Sequence, residues 1–142
     1  MVFRSSLAEA VIGCAIEVHR HLGPGLLEST YAACLDQEML LQGLTFRREI
    51  ALPVEYKGRQ LGLGYRIDFV VADELLVEIK AVERVLPIHK AQALTYLRLT
   101  GLPQALLLNF CAPTMRDGIV SVVRNLNSLG SGGDASHSST QD

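Results

Sequence analysis

The sequence predicts an α/β domain built on a mixed β-sheet of four to five strands flanked by helices, in the order ααβββαββ. Three observations carry that prediction. Residues 5–42 repeat apolar side chains at helical spacing, residues 49–82 alternate with the period of strands, and a strongly apolar block, Ala105-Leu106-Leu107-Leu108, follows a third helical segment. Strand, helix, strand in that order implies a right-handed crossover, which lays the strand at 104–111 parallel to the one at 75–82.

The first helix is expected over 5–21, where Leu7, Val11, Cys14 and Val18 share a face and Ser5 or Ser6 is an N-cap. Gly23-Pro24-Gly25 breaks it, and Pro24 suits the start of a second helix that runs to about Gln42, with Gly43 as its stop. Both helices read as amphipathic. Strands at 49–56 and 60–71 are joined by a hairpin at Lys57-Gly58, where Gly58 accommodates positive φ. Ala72-Asp73-Glu74 turns the chain into a third strand at 75–82. Pro87 opens a helix ending near Gly101. The fourth strand is apolar on both faces and belongs in the centre of the sheet, and 118–124 reads as a last edge strand. From Ser128 the chain is rich in Ser and Gly and lacks the apolar surface to order itself, so one domain over 1–127 and a disordered tail over 128–142 are expected.

The chain of 142 residues is 49% hydrophobic with a formal net charge of -2, the profile of a packed domain with no overall positive field. That weighs against a purely electrostatic nucleic-acid binder. Cys14, Cys34 and Cys111 are isolated and odd in number, which gives neither a zinc-type pairing nor a disulfide framework, and they read as buried structural thiols. Neither a signal peptide nor a membrane-spanning run is evident, so a cytoplasmic protein is expected.

The chemistry concentrates in Asp68 and in Glu78-Ile79-Lys80, charges embedded in runs of aliphatic residues. Such charges are costly to bury unless paired or bound to a metal. Alternation places Glu78 and Lys80 on one face of their strand and Ile79 on the other, and the turn at 72–74 can bring Asp68 opposite Glu78. Two carboxylates beside an ammonium suit a Mg²⁺ site for phosphodiester hydrolysis. A structural network with Lys80 and Arg66 would show the same residues.

Two further motifs accompany the triplet, Gly25-Leu26-Leu27-Glu28-Ser29-Thr30-Tyr31 and Gln92-Ala93-Leu94-Thr95-Tyr96. In element order and in these motifs the chain resembles the PD-(D/E)xK nuclease superfamily, whose fold is restriction-endonuclease-like. The first motif is similar to the signature of its GxxExxY branch, and the second to the QxxxY motif of RecB-like exonucleases. The branch resemblance runs from about Ile12 to Ala112 and takes in Tyr56-Lys57-Gly58, Tyr65-Arg66-Ile67-Asp68 and Leu108-Asn109-Phe110. Tyr65-Arg66-Ile67 stands where the superfamily name has proline.

The resemblance implies a Mg²⁺- or Mn²⁺-dependent nuclease acting on nucleic acid, with DNA as the expected partner. Asp68, Glu78 and the Ile79 carbonyl would hold metal, Glu28 would support that site, and Lys80 would act on the attacking water. Gln92 and Tyr96 would position substrate, and His89, on the same helical stripe, is a candidate phosphate contact. Tyr31 reads as a packing or orienting residue, His21 as a surface group, and His19 as a supporting group near Glu28. Arg47, Arg48, Lys57, Arg59, Arg84 and Lys90 could form a phosphate-tracking rim. The rival is a nuclease-fold module that binds nucleic acid or a partner protein without turnover, and a homodimer fits either reading.

Overall fold

Helix-period and strand-period segments fold in the predicted order. The structure, a computed structural model, describes residues 5–124; the expected boundary at 127 and the tail 128–142 lie outside the described residues. The elements are α1 (Ser6–Leu22), α2 (Glu28–Leu41), β1 (Phe46–Tyr56), β2 (Arg59–Val71), β3 (Leu75–Lys80), α3 (Pro87–Thr100), β4 (Gln104–Asn109), a 3-10 turn at Arg116–Gly118, and β5 (Ile119–Val123). The sheet order is β1-β2-β3-β4-β5. Only β3 and β4 run parallel, as the crossover through α3 requires, and the other neighbours are antiparallel.

Local chemistry accounts for the helix ends. Ser5 Oγ accepts the Ala8 N–H at 3.0 Å and caps α1. Pro87 occupies the first turn of α3, and Gly101 closes it in the left-handed conformation, its N–H donating to Leu97 O. The second helix departs from expectation. Pro24 does not open it; α2 starts at Glu28, because Tyr31 gathers the preceding turn around its hydroxyl. That hydroxyl donates to Gly23 O at 2.5 Å and accepts the Leu26 N–H at 3.1 Å. Nor is α2 cleanly amphipathic: Tyr31, Ala32, Leu35 and Met39 are buried, while Leu40 and Leu41 are exposed.

Both parallel strands end two residues sooner than expected. The buried Asn109 side chain takes over from the ladder, donating to Val82 O at 2.9 Å and accepting the N–H groups of Val82 at 3.1 Å and Cys111 at 3.2 Å. The chain leaves the sheet there, so Cys111 is exposed rather than buried; Cys14 is buried as expected and Cys34 half-buried.

The sheet is covered on both faces. Phe69, Val71, Val77, Ile79, Leu106 and Leu108 pack under α1 and α2. Ile67, Val70, Leu76 and Leu107 pack under Ala93, Tyr96 and Leu97 of α3. Each such side chain contributes roughly 1.5–3 kcal/mol by leaving water, so the strand positions are strongly specified. No described helix is long and apolar enough to cross a membrane.

Candidate active site

The site forms where β2 parts from β3. Their ladder holds only Phe69 with Val77, Val70 with Leu76 and Val71 with Leu75. Beyond Phe69 the strands diverge, and on the other side of β2 the β1 ladder skips the pair at Glu49 and Asp68. Glu49 has φ 54°, a left-handed conformation rare in a strand. The irregularity shifts the alternation of β2. Ile67 and Val70 face α3, whereas Phe69 and Val71 face α1 and α2.

Two carboxylates take over from the ladder at this fork. Glu78 Oε2 accepts the Asp68 N–H at 3.1 Å, and Asp68 Oδ2 accepts the Ile79 N–H at 2.7 Å. Glu28, at the first turn of α2, reaches the end of β3, its Oε2 accepting the Ala81 N–H at 3.0 Å. Glu28, Ser29, Arg48, Arg66, Asp68 and Ile79 line a cleft of about 290 Å³. Lys80 is half-buried beyond Glu78, and its carbonyl accepts the Phe110 N–H at 2.9 Å. Neither Lys80 nor Arg66 forms an ion pair with these acids among the described residues.

Electrostatics follow from burial. Glu78 is 8% exposed. Desolvation, with the Asp68 charge beside it, pushes its carboxyl from the ordinary 4.5 up to about 8. Burial also raises Asp68, and the Glu28 charge adds to it, opposed by the Ile79 N–H and the Lys80 ammonium. Burial, then the charges of Glu78, Tyr65 and Asp68, push the Tyr96 hydroxyl up to about 12.

Oxygen donors of this kind suit a hard divalent cation, whose charge would relieve the repulsion that burial imposes on Asp68 and Glu78. Among the described residues no three Asp, Glu, His or Cys groups come together where they could hold a metal ion. Mg²⁺ does not require three, because it keeps several waters and takes one or two carboxylates.

The other candidates fall into place unevenly. Tyr96 is buried, its ring 5.6 Å from Tyr65. Gln92 is half-buried one turn before it, on the same stripe, and its amide makes no hydrogen bond among the described residues. His89 Nδ1 accepts the Leu86 N–H at 3.0 Å and so caps α3, a role its spacing did not reveal. His19 Nε2–H donates to Ala112 O at 2.8 Å and ties α1 to the loop after β4. His21 is a surface group. Tyr31 is wholly buried and stacks on Phe110 with ring centroids 4.5 Å apart. Arg47 and Arg48 pair with Asp73 and Asp36, and Arg48 also lines the cleft.

Sequence reasoning did not single out Glu49, Ser29 and Arg66 as cleft residues, because only the meeting of α2 with β1 and β2 brings them together. Asn109 was likewise missed as the clamp on the strand end after Lys80. A lone Asn after an apolar strand was the available signal.

A family model described as the PD-(D/E)XK nuclease superfamily matches residues 5–122. No curated protein matches the chain. Among solved structures it is similar to the crystal structure of SSO0001, at 18% identity and a TM-score of 0.47, over 90% of this chain and 83% of that one.

Proposed function

The chain belongs to the PD-(D/E)XK nuclease superfamily, and on that premise we propose that it is a divalent-metal-dependent nuclease hydrolysing phosphodiester bonds, with DNA as its substrate. The observation that carries this reading is the fork itself: Asp68 and Glu78 oriented by each other's strand, with Lys80 beside them and in no ion pair among the described residues. The Glu28 and Gln92 motifs support placement in the GxxExxY branch with a QxxxY-type helix.

Asp68, Glu78 and the Ile79 carbonyl would hold Mg²⁺ or Mn²⁺, with Glu28 in support through a bound water. The cation would supply Lewis-acid polarisation of a phosphoryl oxygen and a lowered pKa for the attacking water. Lys80 would orient that water and donate hydrogen bonds to the phosphate oxygens as charge develops on them. Gln92 and the Tyr96 hydroxyl would hold the adjoining backbone. His89, with Nδ1 occupied by the α3 cap, keeps Nε2–H as a donor for a phosphate.

The test is cleavage of single- and double-stranded DNA and RNA with Mg²⁺ or Mn²⁺. The wild type should cut in a metal-dependent way, and Lys80→Ala should abolish cutting while leaving metal binding largely intact by calorimetry. Binding without cleavage across all four substrates would replace this reading with the binding module. Cutting that persists unchanged in Lys80→Ala would mean a contaminating enzyme.

A further inference from the structure

We infer that Asn109 is a positioning residue for the reaction: its side-chain amide holds the strand end that presents Lys80 and orients Glu28. The inference rests on the nuclease reading above and adds to it a residue that acts only through others.

The β3–β4 ladder ends at the pair Lys80 with Asn109. One more main-chain bond follows, the Phe110 N–H donating to Lys80 O at 2.9 Å, and then the chain turns out of β4. The Asn109 amide continues the pairing where the main chain stops. Its Nδ2–H donates to Val82 O at 2.9 Å and its Oδ1 accepts the Val82 N–H at 3.1 Å. One side chain thus gives Val82 both bonds that a neighbouring strand would give. Oδ1 also accepts the Cys111 N–H at 3.2 Å, which ties the departing chain to the same group. Asn109 is 4% exposed, and an amide is what such a place demands. It carries donor and acceptor on one short planar group, whereas a carboxylate only accepts and an apolar side chain does neither.

The residues held in this way are those the proposed reaction depends on. Lys80 stands two positions before Val82, and between them the Ala81 N–H donates to Glu28 Oε2 at 3.0 Å. Successive main-chain groups of residues 80–82 are therefore bonded to Phe110, to Glu28 and to Asn109 in turn. Asn109 itself has little room to shift. The Ala112 N–H donates to its carbonyl oxygen at 3.3 Å, and Gly118 lies so close to that oxygen that a Cβ would not fit. Phe110 is wholly buried and stacks on Tyr31, one turn after Glu28 on α2. One bracket joins the strand end carrying Lys80 to the helix carrying Glu28. Asp68 and Glu78 lie outside it, since each is fixed by the main chain across the fork. Loss of the amide should therefore strike the Lys80 and Glu28 side of the site and spare the two acids.

Steady-state cleavage by the full chain with Mn²⁺, read where each variant is fully folded by circular dichroism, tests this. Asn109→Ala should lower kcat by about a hundredfold, the scale of a small misplacement of a reacting group, with KM and the calorimetric Mn²⁺ affinity close to wild type. Asn109→Asp keeps the shape and the accepting oxygen but, ionised, cannot donate to Val82 O. Its kcat should fall by about tenfold, and it carries the test if Asn109→Ala does not fold. When Asn109→Ala is combined with Glu28→Ala, the loss in kcat should be smaller than the product of the two single losses, because both remove the same placement. A role in stability alone would lower the melting temperature and leave kcat of the folded protein at the wild-type value. That result, or losses that multiply, overturns the inference while wild-type cleavage keeps the nuclease reading. If the wild type cuts neither DNA nor RNA, both fall.

Discussion

Asp68 and Glu78 face each other one step past the last ladder pair of β2 and β3, and each gives a carboxylate oxygen to the partner strand's backbone. Glu78 Oε2 takes the Asp68 N–H at 3.1 Å and Asp68 Oδ2 takes the Ile79 N–H at 2.7 Å. Main-chain donors thus fix both acids, and each carboxylate keeps a second oxygen outside that pairing. The arrangement costs repulsion between two buried charges, and it places them where a cation is most stabilising.

Millimolar Mn²⁺ or Mg²⁺ should raise the melting temperature by several degrees, since a ligand at a hundredfold excess over its Kd stabilises by about 2.7 kcal/mol. Chelator should reverse the rise. Asp68→Ala and Glu78→Ala should each lose it, and an equal shift in both variants would remove these residues from the metal site.

Stability of the metal-free protein should fall with rising pH. Glu78 titrates near 8 in the fold against an ordinary 4.5, so its contribution is fully present below 4.5 and lost as pH rises through about 8. Asp68 is raised too and acts in the same direction. Urea midpoints should therefore decline between about 4.5 and 8 in the wild type relative to Glu78→Gln. Parallel profiles for the two proteins would contradict the assignment.

Gln92→Ala should reduce cleavage sharply with little loss of stability, because Gln92 is half-buried and forms no hydrogen bond among the described residues. Tyr96→Phe should keep the packed ring and raise KM more than it lowers kcat. Paired kinetics and thermal melts separate these outcomes; a large stability loss in Gln92→Ala would make it a core residue instead.

Tyr31→Phe removes the hydroxyl that both donates to Gly23 O and accepts the Leu26 N–H. A destabilisation of about 1–3 kcal/mol should appear in chemical unfolding. The stacked ring on Phe110 should remain, so near-wild-type stability would show that the turn holds itself.

Much of this was legible in one dimension. Period and punctuation belong to neighbouring residues, so Pro87, Gly101, Lys57-Gly58 and the apolar run at 105–108 announced their elements directly. Asp68 and Glu78 stood out for a related reason: an acid inside an aliphatic strand is costly unless something compensates it.

Contacts between distant segments decided the rest. That Glu28 meets Ala81, that Tyr31 delays α2 until residue 28, and that His19 serves Ala112 are pairings across the chain, invisible to any local pattern. So is the pairing of Arg48 with Asp36, since Asp36 lies on another element. The sequence determined which residues carry charge into the core and in which order the elements come. Only the tertiary structure decided which backbone N–H each carboxylate would take, because β2 and β3 share three ladder pairs and then part, and what fills the opening depends on every layer packed around it.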